Sequence, residues 1–180
     1  MSQNNTIEIS VIAPVFNELK NLNEFVNRTE NTLKKINETY EIIFVDDGSK
    51  DGTREKILSL CNQNKNCKSI FLSKNFGHQA ALFAGIQNSK GVYTITLDSD
   101  LQDPPELIEK LYIEAKNNNY DVVNTKRLTR SGENKLKLLL INIFYLINKI
   151  FFKNIEYNIG DFRIINTKIK KLIDIDRKVF

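Results

Sequence analysis

The sequence has few of the residues on which several common kinds of functional site depend. It contains two cysteines and one histidine in 180 residues. Cys61 and Cys67 are separated by NQNKN, a spacing that fits neither a CxxC redox pair nor a zinc site, so we expect reduced thiols. The lone His78, with no serine or cysteine nucleophile motif, disfavours a hydrolase triad. Because it follows a glycine, His78 is more typical of a helix start, or of a satisfied polar contact, than of a ligand.

The chain also lacks a strong net charge and a secretory signal. Its formal net charge of +4 is too small by itself to indicate nucleic-acid binding. The first residues, MSQNNTIEIS, contain no basic stretch followed by an apolar one. A length of 180 residues with 41% hydrophobic residues suits one domain with a sizeable core. We therefore expect a single cytosolic domain that binds no nucleic acid.

Short segments rich in Ile, Val, Phe and Thr alternate with amphipathic segments. Apolar residues recur every three or four positions in residues 19–36 and 106–115, as on one face of a helix. This alternation predicts an α/β fold with a parallel sheet, right-handed crossovers and helices on both faces. The five predicted strands, which we expect to be buried and parallel, are residues 8–14, 40–47, 68–72, 92–98 and 120–125.

Polar loops follow the first four predicted strands. Their sequences are PVFNE, DDGSKDGT, SKNFGHQ and DSDLQD. A parallel sheet brings the carboxyl ends of its strands to one edge, where ligands bind in folds of this kind. The loops are therefore predicted to form the functional site.

Several residues in these loops also have a purely structural interpretation. Asn17 is a preferred residue for capping the helix that follows it. In DDGSKDGT, the glycines would supply turns, and Asp51 or Thr53 would cap the next helix. Adjacent acids at a strand end also occur in phosphoacceptor receiver domains. Asp103 and Glu106 resemble a capping box.

The loop DSDLQD carries more negative charge than a helix start requires. If the strand continued through Asp98 and Asp100, both carboxylates would point the same way and raise each other's pKa unless a cation lay between them. Carboxylate oxygens, together with the amide of Gln102, are ligands suited to Mg²⁺ or Mn²⁺. We therefore predict a divalent metal site at this loop.

Five segments together resemble one enzyme family. APVFNE, VDDGSKDGT, KNFGHQAALFAG, LDSDLQDPPE and GDFR are similar, in this order, to segments of family 2 glycosyltransferases, in particular the polyprenyl-phosphate (dolichyl-phosphate-type) subgroup. The resemblance implies a GT-A fold, the Rossmann-like nucleotide-diphospho-sugar transferase fold, with a mostly parallel central sheet and helices on both faces. It also implies transfer of a sugar from a nucleotide-diphosphate donor to undecaprenyl or dolichyl phosphate, by inverting, metal-dependent displacement.

The resemblance assigns donor-side roles to individual residues. Asp100 and Gln102 would bind Mg²⁺ or Mn²⁺ together with the donor diphosphate, and Asp98 would lie nearer the ribose or the sugar. Asp46 matches the acid that contacts the base, for which uridine is favoured over guanosine. The other donor-side positions are Pro14, Asn17, Glu18, Asp47, Ser49 and Lys74.

Asp161 and Arg163 of GDFR match the acceptor side of the family. A lipid phosphate is already ionised at neutral pH, so it needs cations more than a general base. Arg163 would supply one cation, and Lys126, Arg127 and Arg130 would supply others unless they form an ordinary solvated loop. We expect Asp161 to orient the sugar or an arginine. The candidate catalytic residues are therefore Asp100, Arg127, Asp161 and Arg163.

Residues 134–154, NKLKLLLINIFYLINKIFFKN, form the most apolar stretch of the sequence. Lysines and asparagines interrupt it, so it is not predicted to span a membrane. Lys135, Asn142 and Lys149 recur opposite a broad Leu, Ile and Phe face, a pattern typical of a helix that lies in a membrane surface. A core or dimer helix is the alternative. We expect peripheral association with the cytoplasmic side of the membrane.

The predicted organisation is one domain in two parts. Residues 1–133 would form the nucleotide-sugar-binding catalytic region, and residues 134–180 the membrane-surface helix and an acceptor-side segment. Members of the subgroup usually continue beyond GDFR, so this chain is either truncated or meets the membrane peripherally. Two alternatives stay open: a family 2 transferase that acts on a glycan hydroxyl, and a catalytically silent nucleotide-sugar-binding fragment. A homo-oligomer is compatible with either.

Overall fold

The computed structural model describes residues 6–126 and 159–169. The chain separates into two compact units, one formed by Met1–Val123 with Asp161–Phe180 and the other by Asn124–Gly160. The predicted boundary between residues 133 and 134, the predicted helix at 134–154, Arg127 and Arg130 all lie outside the described residues. Within the described part of the chain, no helix is both long enough and apolar enough to span a membrane.

Strands and helices alternate along the described residues. The strands are β1 (Ile9–Val15), β2 (Tyr40–Asp46), β3 (Cys67–Phe71), β4 (Tyr93–Thr96), β5 (Val122–Lys126) and β6 (Ile159–Asn166). The helices are α1 (Leu22–Ile36), α2 (Thr53–Gln63), α3 (His78–Asn88) and α4 (Leu107–Asn117). All five predicted strands and both predicted helices are therefore present, with ends that shift by a few residues.

The strands form one sheet in the order β3-β2-β1-β4-β6-β5. The pairs β1 with β2, β1 with β4, and β2 with β3 are parallel, whereas β4 and β6 are antiparallel. The prediction of a mostly parallel sheet is confirmed. The sequence did not predict β6, which enters between β4 and β5 and places Arg163 opposite Thr96. This pairing brings the GDFR segment next to the loop that follows β4.

The prediction that residues 120–125 form a buried strand is wrong. β5 lies at the edge of the sheet, and its side chains alternate between exposed and half-buried. Val122, for example, remains 41% exposed. A composition rich in β-branched residues identifies a strand, but it does not distinguish an edge strand from a central one.

The sheet carries an apolar core on each face because successive side chains of a strand point in opposite directions. In β1, Val11 belongs to the core that also contains residues of α1, α2 and α4, whereas Ile12 belongs to the core formed with α3. Gly85 of α3 permits a close approach to β1, since a Cβ there would lie 2.2 Å from Ile12 Cγ2. Helices cover both faces, as predicted, and α3 packs closely against β1.

Candidate functional site

The four polar loops meet at the carboxyl edge of the parallel strands, where they enclose a cavity of about 240 Å³. Every loop contributes to its lining, so the structure brings the four loops together at one edge, as expected. The predicted site residues that line the cavity are Pro14, Glu18, Asp47, Asp98 and Asp100. His78 also lines it, although the sequence favoured a structural role for this residue.

Hydrogen bonds join the loop after β1 to the loop after β2. The backbone N–H of Asn17 donates to Ser49 Oγ at 2.9 Å, and Asn17 Oδ1 accepts from the Lys50 N–H at 2.9 Å. The Glu18 N–H donates to Thr53 Oγ1 at 3.0 Å. The interpretation of Asn17 as a helix cap is wrong, because α1 begins further along the chain. Asn17 and Ser49 instead hold the cavity wall together.

Asp46 and Asp47 serve different loops although they are adjacent in sequence. Asp46 is fully buried, and its Oδ1 accepts a hydrogen bond from the Ser49 N–H at 3.1 Å. Its Oδ2 has no hydrogen-bond partner among the described residues. The two carboxylate oxygens of Asp47 accept from the N–H groups of Phe76 and Gly77, at 2.7 and 2.9 Å. Asp47 therefore fixes the backbone that leads into α3.

Glycine is required at position 48 for the second and third loops to meet. Gly48 has φ +77°, and a Cβ there would lie 2.7 Å from the Lys74 carbonyl carbon and 2.8 Å from the Asn75 nitrogen. The side chain of Lys74 is exposed, with its Nζ 5.2 Å from the centroid of the Phe76 ring. Because Lys74 does not line the cavity, its contact with a donor stays a prediction, as does that of Asp46.

The loop after β4 turns sharply rather than extending the strand. β4 ends at Thr96, and Leu101 has φ +63°, so the expectation that one continuous strand carries Asp98 and Asp100 is wrong. The turn is closed by the Gln102 N–H, which donates to Asp100 Oδ1 at 3.0 Å. Both carboxylates nevertheless line the cavity. Their proximity results from the turn and not from the two-residue period of a strand.

Glu106, at the end of the same loop, joins two helices. Its carboxylate accepts hydrogen bonds from Arg28 Nε at 2.9 Å and Arg28 Nη2 at 2.8 Å. This bidentate pair links α1 to the residue that precedes α4 and lowers the pKa of Glu106 to about 2. Glu106 thus anchors the far end of the acidic loop.

His78 lies between two carboxylates from distant parts of the sequence. Its Nε2 is 3.5 Å from Asp98 Oδ1 and 3.5 Å from Asp161 Oδ2. His78 is also the first residue of α3, so its predicted position at a helix start is confirmed. The sequence did not predict the contact with the acids. The signal that could have found it is the position of the lone histidine in a loop at the ligand-binding edge of the sheet.

Asp161 and Arg163 join this cluster through β6. Arg163 Nη2 donates to Asp161 Oδ1 at 2.9 Å, and the hydroxyl of Thr96 donates to the backbone carbonyl of Asp161. Alternate residues of a strand share a face, so both side chains of this pair lie on the same side of β6. The structure therefore brings the predicted acceptor residues beside the predicted donor residue Asp98.

Asp98 lies in a strongly electronegative environment. Burial raises its pKa, His78 acts in the opposite direction, and the carboxylates of Asp100, Asp161 and Asp103 raise the pKa further. Its Oδ1 is buried and has no hydrogen-bond partner among the described residues. The described residues include no group of three or more His, Cys, Asp or Glu side chains arranged around a metal position. The cluster nevertheless has the excess of negative charge that attracts a cation.

The model of the family described as Glycosyl transferase family 2 matches residues 10–173. This chain belongs to that family. The resemblance inferred from the sequence motifs is therefore confirmed, and the GT-A fold is confirmed by solved structures.

Three curated relatives illustrate the similarity. An uncharacterized glycosyltransferase, sll0501 of Synechocystis, is 40% identical over 93% of this chain and 53% of its own length. The bactoprenol glucosyl transferase of Shigella phage SfX is 36% identical over 97% of this chain and 58% of its own. The undecaprenyl-phosphate 4-deoxy-4-formamido-L-arabinose transferase of Pseudomonas savastanoi is 41% identical over 68% of this chain and 36% of its own. The chain thus spans about half the length of the first two.

Solved structures share the fold. Glucosyl-3-phosphoglycerate synthase of Mycobacterium tuberculosis, in complex with UDP, has a TM-score of 0.63 at 15% identity over 90% of this chain and 57% of its own. A mannosyltransferase of Pyrobaculum calidifontis, in complex with GDP-Man and Mn²⁺, has a TM-score of 0.57 at 18% identity over 71% and 38%. S. aureus TarS with UDP-GlcNAc has a TM-score of 0.55 at 25% identity over 71% and 36%.

The hydrogen bonds of Asp47 predict a large cost for its replacement. In Asp47→Asn, one oxygen becomes an amide nitrogen that cannot accept from a backbone N–H, so a partly buried donor loses its partner. We expect the free energy of unfolding in urea to fall by about 1–3 kcal/mol. Asp51→Asn is the matched control, since Asp51 also accepts two backbone N–H groups but is exposed. Equal losses in the two variants would contradict the anchoring role of Asp47.

Proposed function

We propose that this chain carries the donor-binding and catalytic region of a glycosyltransferase that moves a sugar from a nucleotide-diphosphate donor to a polyprenyl phosphate. The observation that carries the proposal is a cavity at the carboxyl edge of a GT-A sheet, lined by Asp98, Asp100 and His78, with Asp161 next to His78. The names of the bactoprenol and undecaprenyl-phosphate relatives support the lipid acceptor.

The donor occupies the cavity lined by Pro14, Glu18, Asp47 and Asp100. The hydrogen bonds between the loops after β1 and β2 give this cavity a wall that is formed before the donor arrives, which lowers the cost of ordering on binding. Asp46, buried behind the wall, has one carboxylate oxygen without a hydrogen-bond partner among the described residues. We infer that a uridine base is preferred, an inference supported by the UDP-GlcNAc complex of TarS.

The acidic loop fits a divalent cation. Asp100 belongs to a cluster of carboxylates with Asp98, and carboxylate oxygens are the ligands that Mg²⁺ and Mn²⁺ prefer. We propose that Asp100 and Gln102 hold this ion, as the Mn²⁺ complex of the Pyrobaculum mannosyltransferase suggests for the fold. The bound ion would stabilise the negative charge that develops on the departing diphosphate. Asp98 would then face the ribose or the sugar.

The acceptor approaches from the side of β6. A phosphate monoester is ionised at neutral pH, so attack on the anomeric carbon requires no proton transfer to the protein. It requires a cation that brings one anion toward another, and Arg163 is held for this role by its hydrogen bond to Asp161. Arg127 would add a second cation, although it lies outside the described residues. A single displacement of this kind inverts the anomeric configuration.

The acceptor lipid places the reaction at a membrane. We propose that the domain associates peripherally with the cytoplasmic face, and that residues 134–154, which lie outside the described residues, contact its surface. Lysines spaced along this apolar segment would meet anionic headgroups. The nucleotide-sugar donor would then be supplied from the cytosol.

The proposed function predicts donor-dependent transfer to a short-chain polyprenyl phosphate. The purified chain would be mixed with a radiolabelled UDP-sugar, Mn²⁺ and the lipid phosphate, and the organic phase would be counted. Label in the lipid supports the proposal, and a glycan hydroxyl acceptor is the matched control. Transfer to the glycan alone would assign the chain to the hydroxyl-acceptor class. Donor binding without transfer to any acceptor would mark it as a silent fragment.

The metal assignment predicts a specific defect in Asp100→Asn. Removing one carboxylate charge should lower Mn²⁺-dependent binding of a nucleoside diphosphate by about tenfold or more. Because the side chain of Asp100 is polar and partly exposed to solvent, the fold should stay intact. Calorimetric titrations with and without Mn²⁺ measure the effect, and a thermal melt checks the fold. Asp103→Asn, one turn along the same loop, is the control. If Asp100→Asn keeps the metal dependence of the parent chain, the assignment to Asp100 is wrong.

The acceptor assignment predicts that Arg163→Ala impairs use of the acceptor and leaves donor binding nearly unchanged. Loss of a charge-assisted contact with the lipid phosphate should lower kcat/KM for the acceptor by about tenfold or more. The Kd for the donor should stay within about twofold. Arg54→Ala, on α2 and outside the cavity lining, is the control. An equal loss of donor affinity in Arg163→Ala would move Arg163 to the diphosphate site.

A further inference from the structure

His78 lines the cavity and lies between its proposed donor side and its proposed acceptor side. Its Nε2 lies 3.5 Å from Asp98 Oδ1 and 3.5 Å from Asp161 Oδ2. We propose that His78 is a positioning residue, whose imidazole holds the carboxylates of Asp98 and Asp161 at a set separation and thereby orients Arg163 toward the acceptor. The names of the two sides rest on the proposed function, whereas the arrangement of the three side chains does not.

The ring is supported by a backbone that is itself anchored. Asp47 accepts hydrogen bonds from Phe76 and Gly77, the two residues before His78. Gly77 has φ +95°, a conformation that glycine adopts readily, and its carbonyl accepts from the N–H groups of Ala80 and Ala81 at 3.0 and 3.2 Å. The chain enters α3 in a defined direction, and this direction points the His78 ring at the acids. A surface residue that merely begins a helix needs no such support.

The carboxylates around His78 indicate what the imidazole ring does. Asp98 is partly buried and has the carboxylates of Asp100, Asp103 and Asp161 as neighbours. The Nε2 of His78 lies between Asp98 and Asp161, at 3.5 Å from an oxygen of each. An N–H group at this position offsets the repulsion between two like charges. Without the ring, that repulsion would favour a wider separation of the two carboxylates.

The two oxygens of Asp161 are divided between two partners. Oδ2 faces His78, and Oδ1 accepts the hydrogen bond from Arg163 Nη2 at 2.9 Å. A carboxylate held at one oxygen by His78 presents the other in a defined direction to Arg163. His78 therefore acts on the acceptor through Asp161, although it need not touch the acceptor itself.

This arrangement predicts how the chemistry of the side chain at position 78 determines the rate. A single Nε2–H donates to one carboxylate at a time, whereas a glutamine amide has two N–H donors at a similar reach. Asparagine is shorter and cannot reach the carboxylates. In the sugar-transfer assay, His78→Ala and His78→Asn should lower kcat by about tenfold or more, and His78→Gln should recover most of it. The donor Kd should change less than kcat in all three variants, because the hydrogen bonds that form the cavity wall between the loops after β1 and β2 stay in place.

A double variant separates a positioning role from a structural one. If His78 acts through Asp161, the variant that combines His78→Ala with Asp161→Asn should be no slower than Asp161→Asn alone. If the losses of the two single variants multiply in the double variant, the proposal is overturned. Equal rates in the Ala, Asn and Gln variants would also overturn it. A thermal melt of each variant identifies any that fail to fold, and His78→Gln then remains as the isosteric comparison.

A second measurement does not depend on activity. His78 is the only histidine of the chain, so a long-range ¹H–¹⁵N spectrum of the full chain shows one imidazole. At one fixed pH, Asp98→Asn and Asp161→Asn should each shift the Nε2 resonance, whereas Asp51→Asn should leave it in place. If neither substitution shifts the Nε2 resonance, the proposal is overturned. If the shifts occur in a chain that transfers no sugar, the proposed function fails and the positioning arrangement stands.

Discussion

The antiparallel pairing of β6 with β4 is the constraint on which the site depends. It places Arg163 opposite Thr96 and sets the backbone carbonyl of Asp161 against the Thr96 hydroxyl. Asp161 therefore lies near His78, which is at the same edge of the sheet because it follows β3 in the chain. The parallel strands alone would assemble the cavity. The returning strand adds the side from which, in the proposed function, the acceptor approaches.

Carboxylates that accept backbone hydrogen bonds keep the edge rigid. Asp47 binds the loop before α3, and Asp46 binds the N–H of Ser49 within its own loop. The side chains of these acids are buried, so water competes less for their oxygens, and each bond contributes more than it would on the surface. The acids that are free to meet a ligand, Asp98 and Asp100, lie where this scaffold ends.

The distribution of charge reflects the same difference between acids that bind the backbone and acids that face the cavity. Negative groups concentrate at the end of β4, and the imidazole of His78 contacts one of them, Asp98, from α3. In the proposed function, the donor diphosphate and the lipid phosphate are both anions, so cations and hydrogen-bond donors must lie among the acids to bring them together. Among the described residues, a row of contacts runs from Asp98 through His78 and Asp161 to Arg163.

The order of strands, helices and polar loops followed from local sequence, because hydrophobic periodicity and turn residues act over a few positions. The motifs also predicted Asp98, Asp100 and Asp161 as site residues, and the structure places Asp98 and Asp161 on either side of His78. The sequence could not show that β6 returns antiparallel beside β4, that β5 is an edge strand, or that Asn17 ties two loops rather than capping α1. Those outcomes depend on pairings between residues far apart in the chain. The role of His78 belongs with them, since one histidine acquires two acidic neighbours only when three strands meet at one edge.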